Sequence, residues 1–335
     1  MRRERGAAIL AALLVVVLAT TIVAGLMASQ EIRLKSLDNQ RLRDQMNWLS
    51  EGALDWVRLI LKEDLYQTKA VDHLGEVWAI PISETSLADF LKTRALSGTM
   101  FSYDEETFFA GHIVDANARF NLTSLIDTVN DPRQGGFLIA TKINLEAVNM
   151  FERILLHVGL DPQLSMPVAQ WLLNSHRPLG EEQDMPLPIL SVPDLRVIIP
   201  SISDSQLAAL EQLVVLLPRP TPININTASA RVLSLTLGIP IELAQQLIND
   251  RQQKYFVDYA SITSRIKASI PAWTPVTQRN VDVKTDYFFV LEQLRKRELI
   301  IRRFALISRI QSINNATQVL HVGNGYPLGL TFDGV

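Results

Sequence analysis

Behind a basic head of Arg2, Arg3 and Arg5, and after Gly6, the chain runs from Ala7 to Ala28 without one charged side chain. Those twenty-two residues, at about 1.5 Å rise each, make a helix of roughly 33 Å, enough to cross a bilayer core. A secretory signal peptide has a shorter apolar region of about 7–15 residues, although Leu26-Met27-Ala28 keeps a signal-peptidase site open as a reading. The basic head predicts a cytoplasmic N-terminus and an exported body. The residues beyond Ala28 narrow the choice. Leu42, Met46, Leu49, Ala53, Trp56 and Ile60 fall on one helical face, and no Pro occurs before Pro81. Residues 7 to about 62 therefore read as one continuous helix, apolar all round in its first half and amphipathic in its second.

A short basic leader ending in Gly, followed by such a helix, resembles the type IV pilin-like proteins. In that family the prepilin peptidase cuts after the Gly on the cytoplasmic side, so the resemblance puts the cut between Gly6 and Ala7. Most members carry Glu at the fifth mature position, where this chain has Ala11. A carboxylate inside a bilayer is costly unless it meets a positive partner. In the family that partner is the N-terminal amine of the subunit above. A subunit with nothing above it lacks the partner, and Ala11 removes the cost.

The large family members without this Glu are the K-type minor pseudopilins of type II secretion, the general secretion pathway protein K family. "LGEVWAIP" (74–81) is similar to that family's first strand region, and "GHIVDANARFNLTSLI" (111–126) to its strand and Phe-Asn-Leu turn. "LLPRPTPININTASARVLSLTLG" (216–238) is similar to its Asn-Thr-Ala helical module, and "YFFVLEQLRKRELIIRRFALISRI" (287–310) to its closing hairpin. The resemblance implies an α+β chain of type IV pilin-like fold: a long N-terminal helix, a small antiparallel sheet, and a large inserted all-α domain with helix-hairpin-helix or SAM-like modules. The expected organisation is leader 1–6, helix 7–62 with 7–28 in the membrane, and head 63–120. An inserted helical module 121–217, a second module 222–275 and closing strands 276–335 complete it.

The residue pattern agrees with this order. Strand-like runs lie near 75–80, 107–116, 286–294, 299–310 and 317–322. Leu145, Val148, Phe151, Ile154 and Leu155 step at helical spacing, as do Leu207, Leu210, Leu213 and Val214. Pro-rich stretches at 177–193 and 218–222 cut the helical block. The hydrophobic content of 47% over this length can fill a sizeable core. With no Cys there is neither disulfide nor thiolate chemistry.

Two other function classes compete with this one. The segment 225–252 resembles helix-hairpin-helix modules, some of which bind DNA by aiming the amides of a Gly-x-Gly turn at a phosphate. Asn224 or Asn226 could cap a helix starting at Thr227. Here Gly238 is followed by Ile239 and Pro240, so the second Gly is missing, and residues 222–275 hold five Lys/Arg against three Asp/Glu. A net charge of −3 gives no electrostatic case for nucleic acid. A membrane-tethered DNA-binding protein of a competence system is thus the alternative. For an enzyme, His73, His112, His157, His176 and His321 are scattered, with no His-Glu-x-x-His pair, nucleophile elbow or phosphate loop. Glu181, Glu182 and Asp184 are the calcium candidates, in a region where K-type relatives can carry acidic ligands. Gln170, Leu173 and Ser175 stand where those relatives often have Asp, and calcium wants six to eight oxygens. No cofactor is expected.

The expected function is a non-enzymatic minor pseudopilin that caps or initiates the pseudopilus tip, supporting export of folded proteins across the outer membrane. It would be a single-pass bacterial inner-membrane protein with a periplasmic body. The partners implied are minor pseudopilins of types I and J, possibly H, the major pseudopilin and the prepilin peptidase, with no nucleic acid. Ala11, Leu42, Met46 and Leu49 are assigned to a partner helix, and the upper positions Ala53, Trp56 and Ile60 to the protein's own sheet. Replacing Gly6 by a bulky residue should leave the leader attached, as read by mass spectrometry of protein from membranes. A mature N-terminus at Ser29 would instead mark an ordinary signal peptide.

Overall fold

A computed structural model describes residues 3–68, 71–89, 106–131, 137–177, 185–309, 317–326 and 330. It has two compact units, 1–53 and 54–335. Helix α1, Arg3–Thr68, is uninterrupted and outlasts the expected 7–62 at both ends. Its most apolar 18-residue window reaches a mean hydropathy of 2.4 and is not buried within the chain. The Thr20 and Thr21 hydroxyls donate to the carbonyls of Val17 and Leu18, each at 2.9 Å. Polar groups satisfied within the helix suit a span through hydrocarbon.

The second unit is organised on a five-stranded antiparallel sheet. Its strands are β1 Ile82–Ser86, β2 Thr107–Asp115, β9 Tyr287–Lys296, β10 Leu299–Ser308 and β11 Gln318–Asn324, in the order β1-β2-β9-β10-β11. The central strand β9 buries both faces over most of its length, so it reads as a nearly continuous apolar run. Leu54, Val57 and Leu61 of α1 pack with Trp78, Phe288, Val290 and Ile307. This line is one residue on from the expected Ala53, Trp56 and Ile60, of which Trp56 and Ile60 lie half-buried at its edge. At the first of these positions Leu54 removes more apolar surface from water than Ala53 can. The expected strand at 75–80 is also corrected. Val77–Ala79 is a single 3-10 turn that exposes Val77 and buries Trp78, and the strand begins at Ile82.

β2 and β9 are sheet neighbours, with Asp115 opposite Phe288. Residues 116–286 leave the sheet at the end of one and return at the start of the other. They form a mainly helical body: α2 Leu145–His157, α3 Ser165–Ser175, α4 Asp204–Glu211, α5 Ala230–Leu237, α6 Ile241–Gln253 and α7 Tyr259–Ser269. Three two-stranded pairings stitch it. These are β3 Phe120–Asn121 with β6 Val214–Val215, β4 Ile126–Asp131 with β5 Phe137–Ile143, and β7 Ile223–Asn224 with β8 Val281–Asp282. Val214 therefore belongs to a strand, although its spacing from Leu207 and Leu210 is helical. Its backbone gains a parallel partner in Phe120 that a helix would deny it. Asn121 holds the same seam, its Oδ1 accepting from the N–H groups of Thr123 and Leu217, both at 3.1 Å.

The body's core is one apolar cluster in which Phe120 and Phe151 stack with centroids 5.8 Å apart. Asn226 is buried and acts as a substitute strand residue. Its Nδ2 donates to the Phe256 carbonyl and its Oδ1 accepts from the Phe256 N–H, both at 2.9 Å. Asn226→Ala strands both backbone groups, and should lower unfolding stability by about 2–4 kcal/mol. A denaturant midpoint equal to the wild type would contradict this role.

Candidate functional site

Two regions carry the functional signals: the N-terminal helix, and the junction where the helical body leaves the sheet. Gly6, Ala7 and Ala11 lie within the backbone of α1. Of the partner-helix residues, Leu42 and Leu49 are half-exposed, whereas Met46 is fully buried. Met46 is therefore a correction, because a side chain with no exposed area gives a partner nothing to cover. The exposed apolar stripe of α1 runs elsewhere, through Leu37, Trp48, Leu59 and Tyr66, with Trp48 at 74% exposure. Leu37, Trp48 and Leu59 are eleven residues apart, about three helical turns, and Tyr66 lies two turns further on. That eleven-residue spacing is the sequence signal that finds this stripe. The calcium candidates Glu181, Glu182 and Asp184 lie outside the described residues.

At the junction the last residue of β2, Asp115, is only 3% exposed. Its Oδ1 accepts from the Asn117 N–H at 2.6 Å. Its Oδ2 accepts from Asn224 Nδ2 at 3.0 Å and lies 2.5 Å from the hydroxyls of both Thr227 and Thr285. Asn224 Nδ2 also reaches the Asp72 carbonyl at 3.1 Å, and Asn224 Oδ1 accepts from the Asn226 N–H at 2.9 Å. The "NINT" stretch is thus a buried knot and not a helix start. Helix α5 begins at Ala230, capped by Ser229, whose Oγ accepts from the Val232 N–H at 3.2 Å. Asn224 and Asn226 are drawn away from capping because buried backbone and carboxylate partners need them, while Ser229 is left to cap.

Arg309, one residue beyond β10, donates through Nη1 to Asp64 Oδ2 at 2.5 Å and through Nη2 to Asp72 Oδ1. Its guanidinium lies 4.6 Å from the centroid of the Phe288 ring. Asp115 and Arg309 lie in stretches quoted for the resemblance and Asp72 and Thr285 do not, but nothing in local spacing marks these four as residues that meet only through the fold.

The helix-hairpin-helix turn is closed inward. Gly238 has φ of +64°, and its N–H and that of Ile239 both donate to the Ser234 carbonyl. Ser234 Oγ donates to the Ile239 carbonyl at 2.7 Å, and Arg153 Nε and Nη2 hold the carbonyls of Leu235 and Thr236. With those amides used and Pro240 lacking one, the turn presents no phosphate cradle.

Burial pushes the Asp115 carboxyl up to about 7 and also raises Asp64 and Asp286. A carboxyl whose folded pKa lies above its unfolded value binds its proton more tightly when folded. It stabilises fully below the unfolded value near 4, and that contribution is lost as pH rises through the folded one. Unfolding stability should therefore fall between about pH 4 and pH 7, and Asp115→Asn should flatten that slope. Denaturant midpoints across this range are the check; an equal slope in the variant would remove Asp115 from the account.

The model of the family "Type II secretion system (T2SS), protein K" matches residues 223–283, the segment from β7 to just beyond β8. The chain is 27% identical to type II secretion system protein K of Pseudomonas aeruginosa strain PAO1, over 93% of this chain and 90% of that protein. Its fold is similar to a chain in the crystal structure of the GspK-GspI-GspJ complex from the enterotoxigenic Escherichia coli type 2 secretion system. The TM-score is 0.59 at 20% identity, over 86% of this chain and 99% of that one. The matched segment holds Asn224, Asn226 and Thr227 of the knot, and with the long apolar helix and the five-stranded sheet it makes the chain similar to the type II secretion system protein K family in both sequence and fold.

Proposed function

We propose that this chain is a non-enzymatic minor pseudopilin that caps or initiates the type II secretion pseudopilus. α1 anchors it in the inner membrane by a single span, its body lies in the periplasm, and minor pseudopilins of types I and J are its neighbours. The observation that carries this reading is the position of the insertion. Residues 116–286 lie between the adjacent strands β2 and β9 of the sheet, where a simple pilin head needs only a short connection. A head carrying such a body is too wide to sit beneath another subunit in a closely stacked fibre, and is tolerated where nothing lies above it.

Ala11 supports the same place from the other end of the molecule. A carboxylate there needs a positive partner inside the bilayer, and a tip subunit has none above it. The exposed stripe through Leu37, Trp48, Leu59 and Tyr66 supplies apolar area for neighbouring helices. Its aromatic members are of the type that anchors interfaces. Gold labelling of this protein on pseudopili from cells overexpressing the major subunit is the test. Label at one end of the fibre is expected; label spread evenly along it would refute the tip position.

A further inference from the structure

We propose that Asp64, Asp72 and Glu76 form a binding site for a hard divalent cation of the calcium class, fastening the end of α1 to the turn that precedes β1. One carboxylate oxygen from each residue lies within 4.8 Å of the others. That is the span across an ion with metal–oxygen distances of about 2.4 Å. An all-oxygen donor set selects a hard cation over zinc or copper.

An acidic cluster alone is common, but Glu76 adds a second observation. It is 6% exposed. Its Oε2 accepts from the His73 N–H at 3.0 Å and from Trp78 Nε1 at 2.6 Å. Its Oε1 is buried and has no hydrogen-bond partner among the described residues. An anionic oxygen stripped of water and left unpaired is among the costliest arrangements in a protein interior. A cation held between it and the two aspartates removes that cost.

Arg309 does not already fill this role. It takes one oxygen from Asp64 and one from Asp72, whose other oxygen accepts from the Thr285 N–H at 2.7 Å, and its contacts do not include Glu76. Asp286 stands near Asp72 and Arg309, with Lys284 beside it. The site is separate from the Glu181, Glu182 and Asp184 loop, and it does not depend on the tip position.

Terbium is the probe, because it takes calcium sites and Trp78 touches a proposed ligand. With the full chain in detergent, excitation of tryptophan should give saturable terbium emission that calcium displaces. The emission should be lost in Glu76→Gln and kept when Glu181→Gln, Glu182→Gln and Asp184→Asn are combined. Calcium should also raise the unfolding midpoint of the wild type but not that of Glu76→Gln. The wild-type midpoint guards against a variant that merely misfolds. Absence of sensitised emission, emission that survives Glu76→Gln, or a wild-type midpoint indifferent to calcium would each overturn the proposal.

Discussion

The contact of Asp115 with Asn224 is the point on which the second unit turns. These residues are separated by 109 positions in sequence, and they meet where the chain quits the sheet and where it comes back. Asp115 ends β2, Asn224 lies in β7, and Thr285 precedes β9; all three are buried. A single such hydrogen bond contributes only about 1 kcal/mol net. The dependence comes from the alternative, since losing any one member leaves the remaining buried groups unpaired at a cost of about 1–3 kcal/mol each. The knot therefore specifies a register more than it adds stability. With Asn224 seated, β7 aligns with β8, Thr285 reaches the carboxylate, and β9 starts opposite the end of β2.

That register sets the order of the remaining contacts. β9 and β2 pair along nine positions, and β10 and β11 extend the sheet outward. α1 lays Leu54, Val57 and Leu61 over Trp78 and Phe288. Arg309 then joins Asp64 near the end of α1 to Asp72 beyond it, beside the same Phe288 ring. The body between β2 and β9 closes on its own apolar cluster, which shares no buried residue with the one under α1. The two cores meet at the polar knot and at a small apolar cluster of Ala116, Val215, Leu217 and Tyr287.

Patterns that live in short windows were legible in the sequence. The uncharged run from Ala7, the strands near 107–116 and 286–294, and the 145–155 helix come from apolar periodicity and appear in the structure as α1, β2, β9 and α2 within a few residues. The features that were not legible depend on partners far along the chain. Val214 leaves its helical spacing because Phe120 offers it a parallel backbone partner. Asn224 and Asn226 look like caps until Asp115 and Phe256 are known to sit beside them. Trp78 sits in a 3-10 turn because its indole N–H has a carboxylate two residues back and its ring has Phe288 at 5.0 Å. In α1 the periodicity found an apolar face but missed the buried line by one residue. At 100° per residue, that one-residue step turns the line by more than a quarter of a circle and leaves Trp56 and Ile60 at its edge.

The central claim is that one polar knot couples the head to its insertion, and hydrogen exchange of Asn224→Ala in its folded state tests it most directly. The account predicts that amides in β2, in β7 and β8, and at the start of β9 lose protection together and by a common factor, because they open as one unit. Protection lost only in the turn around residue 224, with β2 and β9 unchanged, would contradict it.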